Sequence, residues 1–97
     1  MKAHIEIIGG EMDGIELFIS KTASIGRDKG CDISIPVDRF VSKKHAMLRL
    51  WSEGYILEDL GSTNGTFVDE EPVRKPVLLS NGQIFKVGRT LLKINYD

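Results

Sequence analysis

His45-Ala46-Met47-Leu48-Arg49-Leu50-Trp51 and Tyr55-Ile56-Leu57-Glu58-Asp59-Leu60 are two short runs rich in apolar residues, separated only by Ser52-Glu53-Gly54. Runs of this length bounded by turn-forming residues read as the two strands of a β-hairpin. The stretch Gly61-Ser62-Thr63-Asn64-Gly65 then ends the second run. Asn and Gly tolerate positive φ there, while Ser and Thr bond the local backbone, so this stretch reads as a tight polar loop. Strand, short connection, strand and polar loop together make a unit with no helical period in it.

The same grammar extends in both directions. Upstream, His4 to Ile8 places Ile5 and Ile7 on one face, and Gly14 to Ile19 does the same with Ile15, Leu17 and Ile19, with residues 9–14 as the turn between them. Ala23 to Arg27 forms a third strand, Ile33-Ser34-Ile35 a very short one that Pro36 ends, and residues 36–44 read as an irregular loop. Downstream come Thr66-Phe67-Val68, a turn over residues 69–72, Val77-Leu78-Leu79, a turn over residues 80–82, and the pair Gln83 to Val87 and Thr90 to Tyr96. Gly88-Arg89 joins that last pair as a two-residue connection with Gly first, the preference of a type II′ turn. The expectation is about ten or eleven short, mostly antiparallel strands and no substantial helix. Such strands bury their apolar faces against a second sheet, so the fold class is an all-β sandwich.

Ninety-seven residues fit one domain spanning 1–97, whether a whole small protein or one cut from a longer chain. With 13 Lys and Arg against 14 Asp and Glu, the net charge is -1, which disfavours a sequence-general nucleic-acid binder, normally clearly basic. No apolar run approaches the roughly 20 residues of a membrane span. A single cysteine, Cys31, and two histidines, His4 and His45, give neither an intrachain disulfide nor a thiolate-rich metal site, so no metal or cofactor is expected. The amino terminus reaches Glu6 before a hydrophobic signal-peptide core develops, which points to the cytoplasm.

Function in a rigid sandwich usually sits on its end loops. Three stretches at strand-to-loop junctions stand out: Gly26-Arg27, Ser42-Lys43-Lys44-His45 and Gly61-Ser62-Thr63-Asn64-Gly65-Thr66. Arg27 supplies a guanidinium fork that matches phosphate oxygens, Ser42 a hydroxyl and a backbone N–H, and Lys43 a point charge. Gly26 lets the backbone bend as the strand leaves the sheet. Asn64 carries a donor and an acceptor on one short side chain.

In these three stretches, in this order, the sequence resembles the forkhead-associated (FHA) domain family of phosphothreonine-binding β-sandwiches, over the whole chain. The resemblance implies that Arg27, Ser42 and Thr63 contact the phosphate, that Lys43 joins them, and that Asn64 bonds the peptide backbone. It makes Gly26, His45 and Gly65 loop framework, with His45 bracing the loop that carries Ser42. It further implies selection for a side chain after the phosphothreonine by Phe40 or Arg39. Phe40 would favour Ile, Leu or Val and Arg39 an acid, and we favour Phe40 because two apolar residues, Phe40 and Val41, in a charged loop suggest a contact surface. The implied partners are a phosphothreonine-containing protein or peptide and an upstream Ser/Thr kinase, with no nucleic acid and no membrane.

Charge distribution agrees with an anionic ligand. Residues 27–44 hold Arg27, Lys29, Arg39, Lys43 and Lys44 against three aspartates, whereas residues 51–71 hold six acids and no base. A basic rim would steer an anionic peptide to the loops. Two competing readings remain open at this point. Ser42, His45 and Asp59 are the residue types of a hydrolytic triad, although no Gly-x-Ser-x-Gly elbow is present, and residues 9–14 lack the lysine and hydroxyl of a P-loop. The other is an interaction domain of the same fold that recognises a protein surface without phosphate.

Overall fold

A computed structural model describes residues 2–96. They form eleven strands: β1 (Ala3–Ile8), β2 (Glu16–Ile19), β3 (Ala23–Gly26), β4 (Ile33–Ser34), β5 (Ala46–Trp51), β6 (Gly54–Asp59), β7 (Thr66–Val68), β8 (Glu71–Pro72), β9 (Val77–Leu79), β10 (Ile84–Val87) and β11 (Thr90–Tyr96). One sheet runs β2-β1-β11-β10-β7-β8 and the other β4-β3-β5-β6-β9. Every pairing is antiparallel except β3 with β4. No helix among the described residues is long and apolar enough to cross a membrane.

Alternation along the strands decides which side chains meet between the sheets, because successive residues of a strand point to opposite faces. Ala3, Ile5 and Ile7 of β1 are buried, with Leu92 and Ile94 of β11 and Phe85 and Val87 of β10 beside them. The opposite sheet contributes Ile25, Ile33, Ala46, Leu48, Tyr55, Leu57 and Leu79. Two loop residues, Ile35 and Val41, also lie fully inside. Val41 is therefore core, which corrects its reading as a contact surface and leaves Phe40 alone, half-buried, beside the rim.

Two local features depart from the sequence reading. Glu71-Pro72, expected within a turn, forms the short edge strand β8 against Phe67 and Val68. The connection is only Asp69-Glu70, both at positive φ, 51° and 68°, as a type I′ hairpin requires. Neither residue is glycine, so the turn carries strain of about 1 to 2 kcal/mol per residue. Glu70→Gly is expected to raise stability by about 0.5 to 1 kcal/mol after the entropic cost of glycine, read as a higher midpoint in urea. Ile15 is the second departure: β2 begins at Glu16, and Ile15 sits 41% exposed in the loop before it.

Candidate functional site at the end loops

Residues 38–45, between β4 and β5, are the hub on which the neighbouring loops are tied. Arg27 donates its backbone N–H to Ser42 O at 3.0 Å, and Asp28 donates to Lys43 O at 3.3 Å, so the start of the β3–β4 loop runs alongside the hub. The Arg27 side chain turns the same way, its Nε donating to Val41 O at 3.0 Å. That bond uses the one guanidinium nitrogen that lies along the chain and leaves the paired terminal nitrogens unbonded within the protein. Across the hub, Asn64 Nδ2 donates to Phe40 O at 2.9 Å and Thr63 N donates to Ser42 Oγ at 3.1 Å. Three consecutive residues, Phe40, Val41 and Ser42, thus each fix one candidate: Asn64, Arg27 and Thr63.

His45 is fully buried beneath this hub. Ser42 N–H donates to its Nδ1 at 2.9 Å, which makes Nδ1 an acceptor. Nε2 therefore carries the proton of the neutral ring and donates it to Gly65 O at 2.8 Å. Its backbone carbonyl accepts from Leu60 N at 2.9 Å. One imidazole thus joins the Ser42 turn to both ends of the β6–β7 loop. The Ser42 backbone N–H is consumed by this bond, so the hydroxyl alone faces outward, a correction to the pair of donors expected from sequence.

Gly26 is buried, but not for the reason its residue type suggests. Its φ is not positive; a Cβ there would stand 2.1 Å from Lys43 O and 2.8 Å from Cys31 Sγ. What the glycine allows is close approach of two backbones. Cys31 is half-buried, and its thiol donates to the same Lys43 carbonyl at 3.3 Å. Gly65 is at φ 89°, so there the conformational freedom of glycine is needed.

The β6–β7 loop is organised by a residue to which sequence reasoning gave no such role. Asp59 Oδ1 accepts from Ser62 Oγ at 2.5 Å and Thr66 Oγ1 at 2.7 Å, and Oδ2 from the N–H groups of Gly61 and Ser62. Burial pushes this carboxyl up, but the bonds from Ser62, Thr66 and the loop backbone outweigh it and hold the group below its ordinary value of 3.8. A depressed folded-state pKa stabilises the fold above the unfolded value and is lost as pH falls through the depressed one. The thermal midpoint is thus expected to drop as pH falls below about 4, and in Asp59→Asn to be lower at neutral pH with a shallower acid slope. The legible signal was an acid two residues before a glycine, the signature of an Asx turn.

Asp38 does the same on the other flank. It accepts from Phe40 N at 2.9 Å, Arg89 N at 2.8 Å and Thr90 Oγ1 at 2.7 Å, pinning the β10–β11 turn to the hub. Gly88, at φ 62°, completes that turn, and the Arg89 guanidinium lies 4.0 Å above the Phe40 ring. Arg39 is exposed, and Lys43 and Thr63 reach the surface with no side-chain hydrogen bond among the described residues.

No hydrolytic triad assembles. Both His45 nitrogens are occupied by backbone groups, and the Asp59 oxygens go to its own loop rather than to the imidazole. With these contacts in place, the family assignment turns on one observation: the sequence profile of the FHA domain matches residues 23–88, which contain every candidate side chain. The chain belongs to the FHA domain family.

Relatives of this FHA domain agree in sequence and in shape. It is 38% identical over 73 residues, 75% of the chain, to the oxoglutarate dehydrogenase inhibitor of Corynebacterium jeikeium, of which it covers 49%. It is 41% identical over 68 residues, 70% of the chain, to the glycogen accumulation regulator GarA of Mycolicibacterium smegmatis, of which it covers 42%. The chain thus spans about half the length of these curated relatives. Among solved structures, an FHA domain studied for its phosphothreonine-dependent interactions superimposes with a TM-score of 0.84 at 26% identity, over 100% of this chain and 98% of that one.

Proposed function

We propose that this FHA domain is a phosphothreonine-dependent recognition module for a phosphorylated protein, acting downstream of a Ser/Thr kinase in the cytoplasm. The observation that carries the reading is the triple tie to residues 40–42, which holds Arg27, Thr63 and Asn64 around the Ser42 hydroxyl. A phosphomonoester brings about -1.5 to -2 charges and three strong acceptor oxygens, and the fork of Arg27, the hydroxyls of Ser42 and Thr63 and the ammonium of Lys43 are matching donors. Asn64 keeps its amide oxygen and a second N–H for the peptide backbone. Gly26, His45 and Gly65 hold these groups in place, and Phe40 and Arg39 flank the path of the peptide. The domain is a binder rather than a catalyst, because the imidazole beside Ser42 has no nitrogen left to act as a base. Residues 1–97 act as one recognition unit, and coupling to an effector or an inhibited enzyme belongs to the whole protein.

The test is calorimetric titration with a degenerate peptide library fixed at a central phosphothreonine, beside the same library unphosphorylated and with phosphoserine. Saturable binding is expected for phosphothreonine alone, with phosphoserine several-fold weaker because it lacks a methyl group worth about 0.8 kcal/mol on burial. Equal binding of phosphorylated and unphosphorylated libraries would overturn the reading in favour of a phosphate-independent interface.

A further inference from the structure

Beside the hub lies an open groove of about 230 Å³, bounded by the β1–β2 loop, residues 37–40 and the β10–β11 turn. Met12 and Val37 give it apolar walls, and Phe40 and Arg89 meet on one side. We propose that Arg89 is a second recognition point of the domain, taking an acidic side chain of the same phosphopeptide; this rests on the function proposed above.

Three observations carry it. First, the Arg89 guanidinium lies on the Phe40 ring, and stacking occupies only its flat face. The in-plane N–H groups remain available for a carboxylate in the paired geometry that arginine favours. Among the described residues no hydrogen bond or ion pair uses them. Second, the backbone beneath is locked, because Asp38 accepts from both Arg89 N and Thr90 Oγ1 while also holding Phe40 N. The Asp38 carboxylate is saturated by these bonds and turned to the backbone of Arg89 rather than to its guanidinium. Third, Phe40 belongs to both places: its carbonyl holds Asn64, and its ring holds Arg89. A peptide whose backbone is bonded by Asn64 therefore passes within a residue or two of the groove.

The two alternatives raised by the sequence are weaker. One face of Phe40 is already covered, so it offers less apolar surface than its residue type suggested. Arg39 is exposed and unbraced. Glu11 lines the far wall of the groove and opposes an incoming acid.

The experiment uses phosphothreonine peptides carrying Glu, Gln or Leu at each position flanking the phosphothreonine, titrated against the wild-type domain and against Arg89→Ala, Arg89→Lys, Arg39→Ala and Glu11→Gln. One flanking position is expected to favour Glu over Gln by about tenfold. That ratio should fall to about one in Arg89→Ala, be only partly kept in Arg89→Lys, survive Arg39→Ala and rise in Glu11→Gln. All variants should still prefer phosphorylated to unphosphorylated peptide, which separates this test from that of the main site. No position preferring Glu, a preference for Leu, or a Glu preference that persists in Arg89→Ala would overturn the proposal, the last by moving the role to Arg39.

Discussion

Arg27→Ala is expected to bind a phosphothreonine peptide roughly 30-fold to several thousand-fold more weakly than wild type while melting within a few degrees of it. The range follows from the loss of one partner of a charged, hydrogen-bonded pair, about 2 to 5 kcal/mol, at 1.4 kcal/mol per tenfold in affinity. The folded protein loses much less, because the side chain is exposed and its only internal bond is that from Nε to Val41 O. That bond makes Arg27 a poor candidate for replacement by lysine. An ammonium keeps the charge but cannot tether itself to Val41 and present two further nitrogens in one plane. Arg27→Lys should therefore fall between wild type and Arg27→Ala in calorimetric affinity. A folded Arg27→Ala protein with undiminished affinity would remove Arg27 from the site.

Gly26→Ala is expected to be the most destabilising single methyl group that can be added near the site. Its Cβ would sit 2.1 Å from a backbone oxygen, which cannot swing aside as a flexible side chain would. Either β3 or the segment carrying Ser42 and Lys43 must shift, breaking the bonds from Arg27 N to Ser42 O and from Asp28 N to Lys43 O. Overpacking of this kind costs about 3 kcal/mol or more, read as a lower midpoint in urea with an unchanged slope. Affinity should drop with it, since the displaced segment carries the Ser42 hydroxyl. An unchanged midpoint would show that the hub yields without loss.

Both variants bear on what the sequence discloses. The sandwich was legible because alternation is a local signal, and nearly every strand fell where apolar residues recur at every second position. Exceptions arose where backbone geometry overrode composition. Asp69-Glu70 adopts a left-handed turn that residue type disfavours, and Glu71-Pro72 pairs at an edge although proline lacks a donor. In the site, the three stretches were readable from their residue types, and the structure brings all of them to residues 40–45. The ties among them were not readable, since a bond such as that of His45 to Gly65, or of Asp38 to Thr90, joins residues 20 and 52 positions apart. Gly26 shows the limit most clearly: a glycine announces that space or freedom is needed, and only the position of Lys43 O says which.

The place of β11 in the first sheet has a further consequence, for the order of assembly. That strand lies between β1 and β10, with Ala3 opposite Tyr96 and Val87 opposite Thr90. β1 and its partner β2 therefore cannot join the rest of their sheet until residues 90–96 arrive, whereas β3, β5, β6 and β9 are already complete by residue 79. On a ribosome, the sheet carrying most of the ligand loops can pair early, while the opposite face waits for nearly the last residues of this segment. Joining the two ends closes a loop of more than ninety residues, the kind of long-range pairing that puts β-sandwiches among the slower folders, in milliseconds to seconds.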